Sequence, residues 1–196
     1  MNNTLIFANA EAGALFWTLL GIFWISETII NSRLRAGAKD KADDRRSLLL
    51  LFVVGTASWI LAWVCVVAIP QATFGNEATY VAGIAIMIIG LSLRWWSITT
   101  LGRFFTVNVA IRTEHRVIDS GPYRVIRHPS YTGILLVYLG IGLCMSNMVA
   151  LVVAFVPCAL SLLHRIHVEE DVLIAGLGDA YRTYMMRTKR LIPGIY

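Results

Sequence analysis

Arg165 and Glu169 stand four residues apart in "RIHVEE", and His164 and His167 three apart, so each pair shares a face of one helix. A planar guanidinium grips a carboxylate through two parallel hydrogen bonds, and a carboxylate binds a cation. Ionisable groups are expensive where a segment enters the membrane face, so this cluster defaults to a functional role. An ordinary helix pair is the plainer reading, but Arg ahead of Glu is the less favourable order for that purpose. A second concentration is "RHPSYTG", Arg127 to Gly133, set immediately before an apolar segment. Pro129 suits the first turn of a helix. His128 is equally suited to capping that helix or to holding a ligand. Tyr123, Tyr131, Tyr181 and Tyr184 have belt-aromatic roles open to them as well. The His and Glu residues show neither HxxxH nor HExxH spacing, so no metal is expected.

These residues need elements to hold them, and the elements are greasy. Of 196 residues, 57% are hydrophobic and 15% charged, beyond the ~45–50% apolar content of ordinary soluble domains; mean hydropathy is +0.67. Apolar runs cover Gly13–Ile30, Leu48–Ile69 and Tyr80–Leu101, each near the ~20 residues that cross a ~30 Å hydrocarbon core. Tyr131–Met145 is shorter, and Met148–Leu163 follows it after "SN" with Pro157 near its middle. The expectation is an all-α integral membrane protein of about five transmembrane helices, the last two a helical hairpin, with a cytosolic loop before the hairpin and a helical tail after it. It reads as one membrane domain: residues 1–101 a three-helix scaffold, residues 102–196 the loop, hairpin and tail.

Charge placement sets the orientation. Of 17 Lys and Arg, six lie in 33–46, six in 94–127 and five in 165–190, while the N-terminal stretch, "PQATFGNEAT" and "SN" carry none. Basic residues on alternate connections follow the positive-inside pattern. That puts the N-terminus outside and the polar cluster with the C-terminal tail on the cytoplasmic side, and it explains the basic pI without a nucleic-acid partner. The N-terminus lacks the basic region of a cleavable signal, so the first span is expected to stay. Cys65, Cys144 and Cys158 sit singly inside apolar runs and read as buried small hydrophobes. Glu27 and Arg94, each near the inner end of a span, are expected to snorkel to the interface. "RLRAGAKDKADDRR" reads as a solvated linker. The stretch from Arg103 is too long for a tight connection and too apolar for a disordered one; "TVNVAI" alternates like a short strand, and "DSGPY" signals a turn.

Taken in order, "HRVIDSGPYRVIRHPSYTG", a helical hairpin, "RIHVEE", "LGDAYRTY" and "RLIPGI" resemble the isoprenylcysteine carboxyl methyltransferase family, membrane methyltransferases that use S-adenosylmethionine. The resemblance implies a cofactor cradle of Asn108, His115, Arg116, Val117, Ile118, Tyr123, His128 and Tyr131, completed by Glu169. It implies that Arg165 contacts the acceptor, making Arg165 and Glu169 the catalytic pair. The shorter acidic run "VEED" leaves Glu169 and Glu170 both open for the carboxylate role. No GxGxxG follows a strand, so the cofactor would not sit in a Rossmann site. The implied acceptor is the carboxylate of a prenylated cysteine or similar lipophilic compound, with membrane lipids as surroundings. Three alternatives stay open: a phospholipid-amine or small-thiol methyltransferase, a steroid-reductase-like enzyme using a nicotinamide cofactor, and a non-enzymatic membrane interaction protein.

Overall fold

The computed structural model describes residues 9–33, 45–107 and 116–196. Six α-helices follow in chain order: α1 (Ala10–Arg33), α2 (Arg45–Ala68), α3 (Glu77–Leu101), α4 (Pro129–Met145), α5 (Met148–Leu177) and α6 (Asp179–Arg187). Short 3-10 turns at Pro70–Ala72, Gly102–Phe104 and Gly121–Arg124 join them. Helices α1, α2, α3 and α5 are long and apolar enough to cross a membrane. Helix α4 has 17 residues, or ~26 Å at 1.5 Å per residue. Helix α5 has 30 residues, or ~45 Å, so it overruns a ~30 Å core and carries the polar "HRIHVEED" stretch on the same continuous rod. Large apolar side chains such as Ile25, Val53, Val67, Ile89 and Leu160 face outward, as lipid-facing surfaces require.

The expected loop features fare unevenly. "DSGPY" folds as the Gly121–Arg124 turn, and Pro129 opens α4. "TVNVAI" lies mostly outside the described residues, as does the linker between α1 and α2. All three cysteines are free and buried.

Local chemistry fixes the helix starts. Asn76 and Thr79 form a reciprocal capping box at the head of α3. At the turn between α4 and α5, Ser146 takes a left-handed conformation (φ 49°). Asn147 then caps α5 by accepting from the Ala150 N–H at 3.0 Å while its amide donates to the Ile69 carbonyl at 2.9 Å. One buried amide therefore pins the hairpin tip to the far end of α2.

The central seam is α3 against α4, antiparallel and very close. A Cβ on Gly90 would stand 2.7 Å from the Gly133 carbonyl, and one on Gly140 would stand 2.6 Å from that of Gly83. Two glycine pairs, seven residues apart on each helix, let the backbones touch, which is how helices associate where lipid removes the hydrophobic drive. The C-terminal segment completes the fold by stitching back on "RHPSYTG". Arg127 N–H donates to the Lys189 carbonyl at 2.7 Å, His128 N–H to that of Arg190 at 3.0 Å, and Thr132 Oγ1 to that of Leu191 at 2.9 Å.

Candidate active site

Each residue of "RHPSYTG" has a distinct task. Arg127 and His128 turn to Glu170, whose Oε1 accepts from Arg127 Nε at 2.8 Å and lies 3.2 Å from His128 Nε2. The other carboxylate oxygen of Glu170 takes the fork of Arg190, at 2.9 and 2.8 Å. Arg127 also donates to the carbonyls of Thr188 and Met185. Ser130 accepts from Arg94 Nη1 at 2.7 Å. Gly133 is the close-packing glycine already described. The ring of His128 does not cap α4; it stacks on Tyr131, with centroids 5.6 Å apart and planes 11° from parallel.

Tyr131 joins the two residues singled out on α5. Its hydroxyl donates to Glu169 Oε2 at 2.5 Å and accepts from Arg165 Nε at 2.9 Å. The Arg165 guanidinium is further held by Ser47 Oγ at 3.1 Å and by the Val107 carbonyl. Three elements thus fix one planar cation, only 2% exposed. The neighbouring carboxylates divide sharply. The Glu170 side chain is 3% exposed and surrounded by cations, whereas that of Glu169 is 26% exposed.

One cavity, open at its mouth, gathers these groups. Arg116, Val117, Ile118, Tyr123, His128, Tyr131, Arg165 and Glu169 all line it, but Glu170 does not. Asn108 and His115 lie outside the described residues. His164 and His167 are exposed on α5, and among the described residues no three His, Cys, Asp or Glu side chains converge as metal ligands do. Beyond the polar tier the same cavity runs between α1, α2, α4 and α5, lined by Phe23, Trp24, Leu51, Phe52, Ile134 and Cys158.

Glu27 and Arg94 do not snorkel. Arg94 Nε donates to Glu27 Oε1, and its Nη2 to Oε2 at 2.7 Å, across α1 and α3. Both line the cavity, and the Arg94 side chain is 6% exposed. In a low dielectric, a bidentate partner 67 positions away compensates each charge better than a long reach to water. Opposite charges near the same end of two spans were a signal for this pairing; Ser47 carried none, and Thr132 and Arg190 were marked only by lying in "RHPSYTG" and "RLIPGI".

Outside the spans, tyrosines close the polar end. The Tyr184 hydroxyl donates to the Tyr123 carbonyl at 2.6 Å. Burial pushes the Tyr123, Tyr181 and Tyr184 phenols above their usual range, and the charge of Glu169 adds to the rise for the first two. All three stay neutral donors. Hydrogen bonding to Glu170, the largest cause, raises Arg190.

Residues 83–175 match the model of the isoprenylcysteine carboxyl methyltransferase (ICMT) family. The region holds α4, most of α3 and all of α5 up to Ala175, hence Arg94, "RHPSYTG", Arg165, Glu169 and Glu170. Among curated relatives, protein-S-isoprenylcysteine O-methyltransferase B of Arabidopsis thaliana is 33% identical over 113 residues, 57% of each chain. Protein-S-isoprenylcysteine O-methyltransferase A of the same plant is 35% identical over 113 residues, again 57% of each. The matched stretch therefore spans little more than half of these relatives. A cobalt-zinc-cadmium resistance protein, CzcN of Cupriavidus metallidurans, is 28% identical over 122 residues, 61% of this chain and 56% of that protein. Among solved structures, the eukaryotic intramembrane Ras methyltransferase ICMT superposes with a TM-score of 0.72 at 20% identity, covering 97% of this chain and 70% of that one. That likeness carries the fold: an all-helical, multi-pass integral membrane protein in which the stretch matching the family model contains most of the polar site.

Proposed function

We propose that this protein is a membrane methyltransferase that moves a methyl group from S-adenosylmethionine to the carboxylate of a lipophilic acceptor, a prenylated cysteine or a close analogue. The single observation that carries the reading is the continuity of one cavity. A fixed guanidinium and an accessible carboxylate stand at its polar tier, and an apolar chamber opens directly beyond them. The relatives named for isoprenylcysteine O-methylation supply the acceptor class.

The donor set fits S-adenosylmethionine. Glu169, partly exposed beside Tyr131, suits an ammonium. Val117 and Ile118 offer apolar cover for an adenine, and the neutral phenols around Tyr123 offer polar contacts for a carboxylate or ribose. When bound, this cofactor supplies an electrophilic methyl on a positively charged sulfur. The remaining work falls to the chain. Arg165, held by Tyr131, Ser47 and Val107, directs an acceptor carboxylate, and a guanidinium so fixed loses little entropy when it binds. A carboxylate is already ionised near neutrality, with an ordinary pKa of ~4, so no general base is required. His128, tied to Glu170 and stacked on Tyr131, orients the tyrosine that joins Arg165 to Glu169. In this reading the chain is one unit: residues 1–101 are a scaffold that lends Glu27, Ser47 and Arg94, and residues 102–196 supply the rest.

Basic connections on alternate sides favour a cytoplasmic polar tier and an outer N-terminus. Cysteines placed at Gln71 and at Met186, both exposed, test this with an impermeant thiol reagent on intact cells, because the native cysteines are buried. Labelling at 71 alone is expected; labelling at 186 alone reverses the orientation.

The function itself is tested with purified protein in detergent. S-adenosylhomocysteine should bind by calorimetry, and labelled methyl should pass to N-acetyl-S-farnesyl-cysteine in base-labile form. Binding without transfer to that acceptor, with transfer to a thiol or amino-lipid instead, would reassign the acceptor. Binding of a nicotinamide cofactor in its place would reject methyl transfer.

A further inference from the structure

The apolar chamber ends on a recognisable floor. Its deepest lining residues are Phe23 on α1, Gly55 and Thr56 on α2, Tyr138 on α4 and Cys158 on α5. Residues one or two turns further along these helices, such as Leu20, Ala62, Ile141 and Ala154, lie in the packed core and do not line the cavity. Each helix gives its own measure of depth. From Tyr131 to Tyr138 and from Arg165 back to Cys158 is seven residues, and from Ser47 to Gly55 is eight. At 1.5 Å per residue these are ~10 to 12 Å. Three independent helices therefore put the floor at one level below the polar tier.

At that level one position is bare. Gly55 faces the Tyr138 hydroxyl so closely that a Cβ there would stand 3.0 Å from the oxygen. Tyr138 is itself braced edge-on by Phe23, with centroids 6.2 Å apart and planes at 89°. The missing side chain lets the Tyr138 hydroxyl close directly on α2, and with Phe23 behind it that wall cannot retreat easily. Glycine costs ~1 kcal/mol against alanine in a helix interior, so its place here calls for a spatial reason.

We propose that Gly55, set against Tyr138, limits how long a lipophilic arm the cavity accepts, making it the chain-length determinant of the acceptor site. This rests on the acceptor reading given above. Any side chain at 55 raises the floor, so the farther end of a long chain is excluded while a short chain still fits. Arg165 and Glu169, about two helical turns above, are untouched by such a change.

The test compares N-acetyl-S-geranyl-cysteine with N-acetyl-S-farnesyl-cysteine, scoring both direct binding and methyl transfer. In Gly55→Leu, the ratio of farnesyl to geranyl affinity should fall by about tenfold or more, as an overpacked wall would dictate, with S-adenosylhomocysteine affinity retained. Gly55→Ala should shift the ratio the same way by less, and Tyr138→Phe in that background should restore it by removing the oxygen in the way. Should Gly55→Leu fail to fold, the alanine variant and its rescue carry the decision. An unchanged ratio, or equal loss on both ligands, overturns the proposal. The two readings fail separately: chain-length-dependent binding without any methyl transfer sinks the function and leaves the determinant standing, whereas transfer that ignores position 55 does the reverse.

Discussion

Arg94 on α3 holds Glu27 on α1 through both nitrogens of its fork, and Ser130 on α4 takes a third N–H of the same guanidinium at 2.7 Å. Three helices are thereby tied at one point beside the cavity. Breaking one partner of a buried pair typically costs ~3–5 kcal/mol because the other charge is stranded. Glu27→Gln and Arg94→Met should each lower the thermal midpoint in detergent strongly, and the double variant should lose less than the sum of the two. Strict additivity would mean that the pair is not coupled.

The two adjacent glutamates should fail differently. Glu170→Gln strands the cations of Arg127 and Arg190 and loosens the hold on His128, so loss of folded protein is the expected result. Glu169→Gln keeps the fold and weakens S-adenosylhomocysteine binding by roughly 1.5–3 kcal/mol, the usual range for a hydrogen bond to a charged group. Calorimetry and a melting curve on both variants decide; normal cofactor affinity in a folded Glu169→Gln protein would move the cofactor role elsewhere.

Arg165→Lys keeps the charge and loses the planar fork. Transfer to a carboxylate acceptor should drop at least tenfold while cofactor affinity stays near its original value. Parallel loss of transfer, cofactor affinity and thermal stability would instead assign Arg165 a purely structural task through Tyr131, Ser47 and Val107. Full activity in the variant would point away from a carboxylate acceptor.

The buried tyrosines of the polar end predict behaviour in base. A phenol whose folded pKa is raised contributes stability that is complete below its unfolded value near ~10 and is lost as pH climbs toward the folded value. Thermal stability should therefore show no tyrosine-linked loss between pH ~7 and ~9 and a decline above ~10. Tyr184→Phe starts lower, having lost its bond to the Tyr123 carbonyl, but should decline less steeply. Equal slopes would show that Tyr184 titrates as it does in the unfolded chain.

Much of the fold was legible because lipid imposes a simple rule. Helices α1 to α4 follow the apolar runs to within a few residues, α5 runs well past its apolar stretch to Leu177, and Pro129 and Asn147 mark helix starts by local chemistry alone. The site was legible where its residues cluster in sequence, as Tyr131, Arg165 and Glu169 do within two short motifs. What escaped depends on contacts that no spacing encodes. The Glu27–Arg94 pair joins residues 67 positions apart, and Ser47 reaches Arg165 across 118. Arg190 gives no sign in its own neighbourhood that it closes on Glu170. The choice between Glu169 and Glu170 was likewise undecidable from "VEED", since it turns on a rotation of about 100° per residue around α5.

The fork of Arg190 on Glu170 also bears on how the protein is made. A ribosome releases the chain from the N-terminal end, so "RHPSYTG" and Glu170 emerge before Arg190 does. Until it emerges, Glu170 Oε2 lacks the guanidinium that it holds in the finished fold, and "RHPSYTG" lacks the carbonyls of Lys189 to Leu191. The polar site is thus completed last, by the same segment that seals it, and a chain truncated before Arg190 would lack the contacts that close it.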